Sequence, residues 1–137
     1  MTDETEIDAL VDAFFAAFAS GPGCAERLDA LPGLFLSRAV VVRTGPDEAV
    51  YDVDGFIAPR RALLLGGALQ GFREWETTRT TEVVGRIAQR SSAYAKEWIQ
   101  DGTLRVGGGH KLLQLVRTHT AWRISGVVWE DMPALPA

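Results

Sequence analysis

The sequence predicts an α+β fold in the order α-α-β-β-α-β-β-β-β, with a curved antiparallel sheet wrapped around N-terminal helices. Three observations predict it. Ile7, Leu10, Val11, Phe14, Phe15 and Phe18 form one apolar stripe at helical spacing. After Gly71 the helical period disappears, Thr becomes frequent and Gly punctuates. The late strands follow one another through short turns, which pairs them as an antiparallel meander, and helices grouped ahead of strands pack on one face of the sheet.

The first helix is expected to start at Thr5 as N-cap, with Asp8 three residues on, and to stop at Ser20-Gly21-Pro22-Gly23. A short second helix over about 25–31 ends before Pro32-Gly33. Ala39-Val40-Val41-Val42 is β-branched and too short for a helix. Gly45-Pro46-Asp47-Glu48 is a turn, and 49–53 returns as the second arm of a hairpin. A third helix is capped by Asp54, carries Phe56, Ile57, Leu63 and Leu64 on one face and Pro59 early, and ends at Gly66-Gly67. Four strands are expected over 72–84, 87–98, 110–118 and 122–130, with Gly107-Gly108-Gly109 in the loop before the third. A sheet bent around a helix makes a cone with a pocket at its open end.

Gly55-Phe56-Ile57-Ala58-Pro59-Arg60-Arg61 on the third helix and Phe72-Arg73-Glu74-Trp75-Glu76 on the next strand resemble the nuclear transport factor 2-like (NTF2-like) superfamily. So does the closing hairpin, Gln114 to Thr118 and Trp122 to Ser125. The superfamily includes SnoaL-like cyclases and ketosteroid isomerases. The resemblance covers about 6–131 of a single domain spanning 1–137, and is strongest to a bacterial branch of unassigned function. It implies the cone fold and a homodimer pairing through outer sheet faces. It implies no one activity, because this fold hosts isomerases, cyclases, dehydratases, hydrolases and non-catalytic modules. The steroid isomerases' set of a carboxylate base with Tyr and protonated Asp donors has no recognisable counterpart here, so that activity is not carried over.

The chain has 137 residues and a net charge of −4. Residues 1–68 hold five basic and eleven acidic side chains, and Asp3, Glu4, Glu6, Asp8 and Asp12 suit the positive end of a helix dipole. No basic patch for nucleic acid appears. No apolar run approaches a membrane span, and an acidic start is the reverse of a signal peptide. The single Cys24 excludes an internal disulfide and points to a reducing cytoplasm; a buried thiol is the expected role. His110 and His119 stand at strand ends without ligand partners at metal-binding spacing, so no metal and no cofactor are expected.

Glu74 and Glu76 share a strand face, which places both in the pocket or both outside it. Inward, either could be a general base; the bland alternative is a pair of structural ion pairs with Arg60, Arg61, Arg73, Arg79 or Arg117. If they face inward, Phe72 and Thr78 must too. Tyr94 shares a face with Ser92, Lys96 and Trp98 and could donate to a carbonyl, or simply pack. Tyr51, near the mouth, is a weaker candidate of that kind. Gln114 interrupts an apolar run and would bind ligand if its face is interior. Arg60 could reach the helix–sheet seam. On the last strand, Trp122, Ile124, Gly126, Val128 and Glu130 read as the core face, with Trp122 and Glu130 at the pocket. Arg123, Ser125, Val127, Trp129 and Asp131 read as the outer face, with Trp129 as dimer anchor.

Two functions fit. One is binding of a small, mostly apolar ligand in the cone, with metal-free acid/base isomerase, cyclase or lyase chemistry carried by Glu74 or Glu76 and oriented by Tyr94 or Gln114. The other is a non-catalytic homodimeric module with a closed pocket. The direction and pairing of the two glutamates discriminate between them.

Overall fold

The computed structural model describes residues 2–132. Helix α1 (Asp3–Ala16) is capped by Thr2, whose hydroxyl accepts from Thr5 N at 3.1 Å, with Asp3, Glu4 and Glu6 in the first turn. The cap is therefore Thr2 and not Thr5; a cap at Thr2 brings these acids inside the helix. Helix α2 (Cys24–Ala30) leads through a 3₁₀ turn (Leu31–Leu34) into β1 (Phe35–Arg43), then β2 (Ala49–Tyr51). Helix α3 (Val53–Leu65) is capped by Asp52, whose carboxylate accepts from Gly55 N at 2.7 Å, two residues earlier than the expected Asp54. Strands β3 (Gln70–Val84), β4 (Ile87–Gln100), β5 (Thr103–Arg117) and β6 (Trp122–Met132) follow.

The six strands form one curved, unclosed sheet in the order β2-β1-β6-β5-β4-β3. The meander β3 to β6 is antiparallel, but β1 runs parallel to β6. The sheet is thus mixed and not wholly antiparallel: β2 and the α3 crossover carry the chain from β1 to the far edge, and the meander returns to lay β6 parallel beside β1. Helices α1 and α3 cover the concave face. Ile7, Leu10, Val11, Phe14 and Phe15 are buried from α1. Phe14 meets Phe15, Phe18 and Phe35 edge-on, with centroids 5.3–6.1 Å apart. Such contacts add about 0.5–1.5 kcal/mol each beyond area burial.

Two bulges decide which side chains face the core. On β3, Glu76 pairs with Tyr94 but Thr78 with Ala93, so Thr77 is an extra residue. Phe72, Glu74 and Glu76 face inward before it, and Arg79, Thr81 and Val83 after it, since these stand opposite the inward residues of β4. Thr78 is therefore exposed, against the expectation. On β6, Gln114 pairs with Gly126 but Leu115 with Ile124, so Ser125 is extra. Trp122 and Ile124 are buried, and beyond the bulge Val127 and Trp129 are buried while Val128 and Glu130 are exposed. The bulge reverses the assignment of the outer half of this strand: Trp129 lies inside the cone and cannot anchor an outer-face dimer.

Gly107, Gly108 and Gly109 are in β5, paired with Lys96, Ala95 and Tyr94, and not in a loop. A side chain at Gly109 would collide with Glu130 O and lie 2.5 Å from Tyr94 Oη. One at Gly107 would lie 3.1 Å from Lys96 Cε. The glycines let the Tyr94 and Lys96 side chains cross β5 to reach β6.

Candidate functional site

A cavity of about 300 Å³ lies between α3 and the concave sheet, walled by Phe18, Phe56, Leu63, Leu69 and Phe72 and by the polar residues described next. Its charged groups come from five strands and one helix: Arg43 on β1, Arg60 on α3, Glu74 on β3, Lys96 on β4, Lys111 on β5 and Asp131 on β6. The chain has only two lysines among fourteen basic residues, and both line this cavity.

Glu74 and Lys111 form its buried centre. Lys111 Nζ lies 3.0 Å from Glu74 Oε1, with the two side chains only 7% and 9% exposed. The contact is a close ion pair, and Oε1 has no other polar partner in the protein. Aromatic rings enclose the ammonium: Tyr94 at 4.3 Å, Trp129 at 5.0 Å, Phe15 at 5.8 Å and Phe14 at 6.0 Å. Burial lowers the Lys111 pKa, and the Glu74 charge pulls partly the other way. The ring faces stabilise the charge that burial disfavours.

Beside this pair runs a second chain. The Tyr94 hydroxyl donates to Asp131 Oδ1, which also lies 3.2 Å from Lys96 Nζ. Burial and then this bond raise the Tyr94 pKa, so the phenol keeps its proton. Burial alone would raise Asp131, but Tyr94 and Lys96 outweigh it and its pKa falls. The Tyr94 proton is committed to Asp131, and it is the ring face of Tyr94 that meets the neighbouring Lys111.

Glu76 has a different environment. Its carboxylate accepts from Arg90 Nε at 3.0 Å and Nη2 at 2.9 Å and from Ser92, with Arg79 at 3.5 Å. Arg90 is fully buried and also donates to Asp8 Oδ1 at 2.7 Å. Burial would raise Glu76, yet the Arg90 and Ser92 bonds prevail and hold its pKa below the ordinary value. Glu76 is a structural anion. None of the arginines named as rivals for Glu74 pairs with it: Arg61 pairs with Asp29, Arg73 with Glu97, Arg79 with Asp8 and Glu76, and Arg117 with Asp3.

Of the other expected ligand contacts, Tyr51 and Arg60 line the cavity, and Gln114, Glu130 and Trp122 do not. Gln114 is on the convex face, donating to Gln89 Oε1 at 3.3 Å, because Leu113 and Leu115 take the inward phase of β5. Glu130 is exposed beyond the Ser125 bulge and accepts from Thr44 Oγ1. Trp122 is buried at the other end of β6, its indole donating to Asp3 Oδ1 at 3.1 Å. Lys111, Arg90 and Asp131 escaped the sequence reading. The scarcity of lysine was the available signal for the first, and the hidden bulge misplaced the last. His110 packs on the convex face with Nε2 2.6 Å from Ser91 Oγ. Cys24 is buried, and burial raises its pKa. Among the described residues no three His, Cys, Asp or Glu side chains gather as metal ligands, and no helix is long and apolar enough to cross a membrane.

No protein-family model and no curated protein matches the chain. Solved structures match its fold. A conserved protein from Planctomyces limnophilus superposes with a TM-score of 0.79 at 15% identity, over 96% of this chain and 98% of that one. An NTF2-like protein with a cystatin-like fold from Novosphingobium aromaticivorans gives 0.71 at 19% identity, over 93% and 80%. Another protein of that organism, provisionally named scytalone dehydratase, gives 0.74 at 11% identity, over 98% and 89%. The chain has the cystatin-like NTF2 fold.

Proposed function

We propose that the protein binds a small ligand in the cone cavity and acts on it by metal-free acid/base chemistry with Glu74 as proton acceptor. The observation that carries this is a buried carboxylate at the cavity wall whose one close charged partner is the Lys111 ammonium. Glu76, by contrast, has its lone pairs filled. Lys111 holds the Glu74 carboxylate in place and compensates charge that moves during proton transfer. Isomerase, cyclase and lyase reactions of carbonyl compounds share one elementary step, removal of a proton next to the carbonyl: Glu74 takes the proton, and the charge left on the carbonyl oxygen is offset by the cations of the cavity wall. The provisional dehydratase name of one fold relative is compatible with such chemistry.

The test is hydrogen–deuterium exchange at the acidic carbons of phenylacetone in deuterated water, followed by NMR. The wild-type protein is expected to accelerate exchange. Glu74→Gln should lose roughly a hundredfold or more of that acceleration, and Glu76→Gln much less in any variant that stays folded. Equal rates for wild type and Glu74→Gln would overturn the reading.

A second reading, the homodimeric module, is supported by the convex face. Leu112 and Val128 are paired neighbours there, 41% and 40% exposed, with Trp75 farther along the sheet. These residues replace Trp129 as the proposed dimer anchors. Sedimentation velocity should give a dimer that Leu112→Glu converts to monomer; a wild-type monomer would exclude this reading.

A further inference from the structure

We propose that the ligand is a carboxylic acid with an apolar body, and that the Arg60 guanidinium is its head-group site. This rests on the cavity reading above and names the ligand's class. Four cations of the cavity wall face two carboxylates. Lys111 is taken by Glu74 and Lys96 by Asp131, while Arg43 Nε donates to Asp47 O at 2.8 Å. Arg60, like Arg43, has no acidic partner among the described residues, and of the two only Arg60 also borders the apolar lobe beside Glu74.

Its geometry is fixed all the same. The guanidinium lies over Phe56 at 4.1 Å, with Trp129 at 5.3 Å and Tyr51 at 5.6 Å from its central carbon. Nη1 donates to Phe56 O at 2.9 Å, one turn back on the same helix. One corner is thus anchored, the Tyr51 hydroxyl is the other polar neighbour, and no carboxylate of the described residues pairs with the guanidinium, which leaves donors for a ligand. Two parallel N–H donors on one rigid edge match the two oxygens of a carboxylate. Burial disfavours the charge of Arg60, and an incoming anion offsets that penalty. Beside the head lies an apolar lobe of about 60 Å³, walled by Phe18, Leu63, Leu69 and Phe72 and shared by Arg60 and Glu74. A carboxylate on Arg60 would therefore direct an apolar body into the lobe where Glu74 waits.

The experiment is a calorimetric titration of the full chain with phenylacetate and with the neutral, near-isosteric phenylacetamide. The acid is expected to bind roughly tenfold or more tightly than the amide. Arg60→Met should abolish that preference, the loss falling mainly on the acid. Arg60→Lys should keep only part of it, because the charge remains and the fork is lost. Equal affinity of acid and amide, no binding of the acid, or a preference that survives both substitutions would overturn the proposal. Glu74→Gln should still select the acid. A chain that selects the acid yet catalyses no exchange would remove the Glu74 base reading and leave the head-group site standing.

Discussion

A buried ion pair is judged by what happens when one partner is removed. Glu74 and Lys111 are both withdrawn from water, and their attraction competes with a desolvation penalty of similar size. Lys111→Met leaves the Glu74 charge facing only rings and a narrow cavity, and should cost about 3 kcal/mol in chemical denaturation. The same substitution made on Glu74→Gln removes no charge partner and should cost clearly less. The coupling in that double-mutant cycle should exceed about 1 kcal/mol. Strict additivity would mean that the two charges are solvated separately, and would take away the reason for assigning Lys111 a positioning role toward Glu74. The aromatic enclosure makes Met the appropriate replacement, since its thioether keeps contact with the rings of Phe14, Tyr94 and Trp129.

Strand β5 shows how one element serves the site without contributing chemistry at most of its positions. Gly109→Ala would press a methyl group against Glu130 O and the Tyr94 hydroxyl, so either the β5–β6 ladder or the Tyr94–Asp131 bond must give. A loss of about 1–3 kcal/mol is expected, whereas Gly33→Ala, with open space around it, should be near neutral. A neutral Gly109→Ala would mean that Tyr94 does not cross the strand there. The glycine run itself reads as a loop in the sequence, because its reason is a tyrosine fifteen residues earlier. Helix α1 was legible because its stripe is local: the residues that make the pattern are those that are buried. The shared face of Glu74 and Glu76 was legible by parity, and parity holds up to Thr77. What parity cannot show is which face is interior when both carry leucines, as in β5, or where an extra residue resets the phase, as at Ser125. Gln114, Glu130, Trp129 and Asp131 were all misplaced for those two reasons.

At the scale of the molecule, the acidic N-terminal segment does more than complement a helix dipole. Asp8 accepts from Arg90 on β4 and pairs with Arg79 on β3, while Asp3 accepts from Arg117 on β5 and Trp122 on β6. The first helix is fastened by carboxylates to all four strands of the meander. Glu76 joins the same network through Arg90, which spans sheet and helix. This fastening has a pH signature. The folded-state pKa of Glu76 lies below its ordinary value of 4.5 and that of Asp131 below 3.8. A carboxylate whose pKa is depressed by folding contributes stability that is complete above the unfolded value and is lost as pH falls through the folded one. Stability should therefore hold level from neutrality to about pH 5 and decline below about 4.5. Glu76→Gln should lower stability at neutral pH by about 3 kcal/mol, since Arg90 stays buried with Asp8 as its remaining anion. It should also flatten the decline in acid, because the group whose protonation drives part of it is gone. Denaturant midpoints for the two proteins across this range, measured with α1 signals by NMR, separate the two effects. Curves that stay parallel into acid would mean that Glu76 titrates alike folded and unfolded, and that its bonds to Arg90 and Ser92 add nothing to the acid sensitivity.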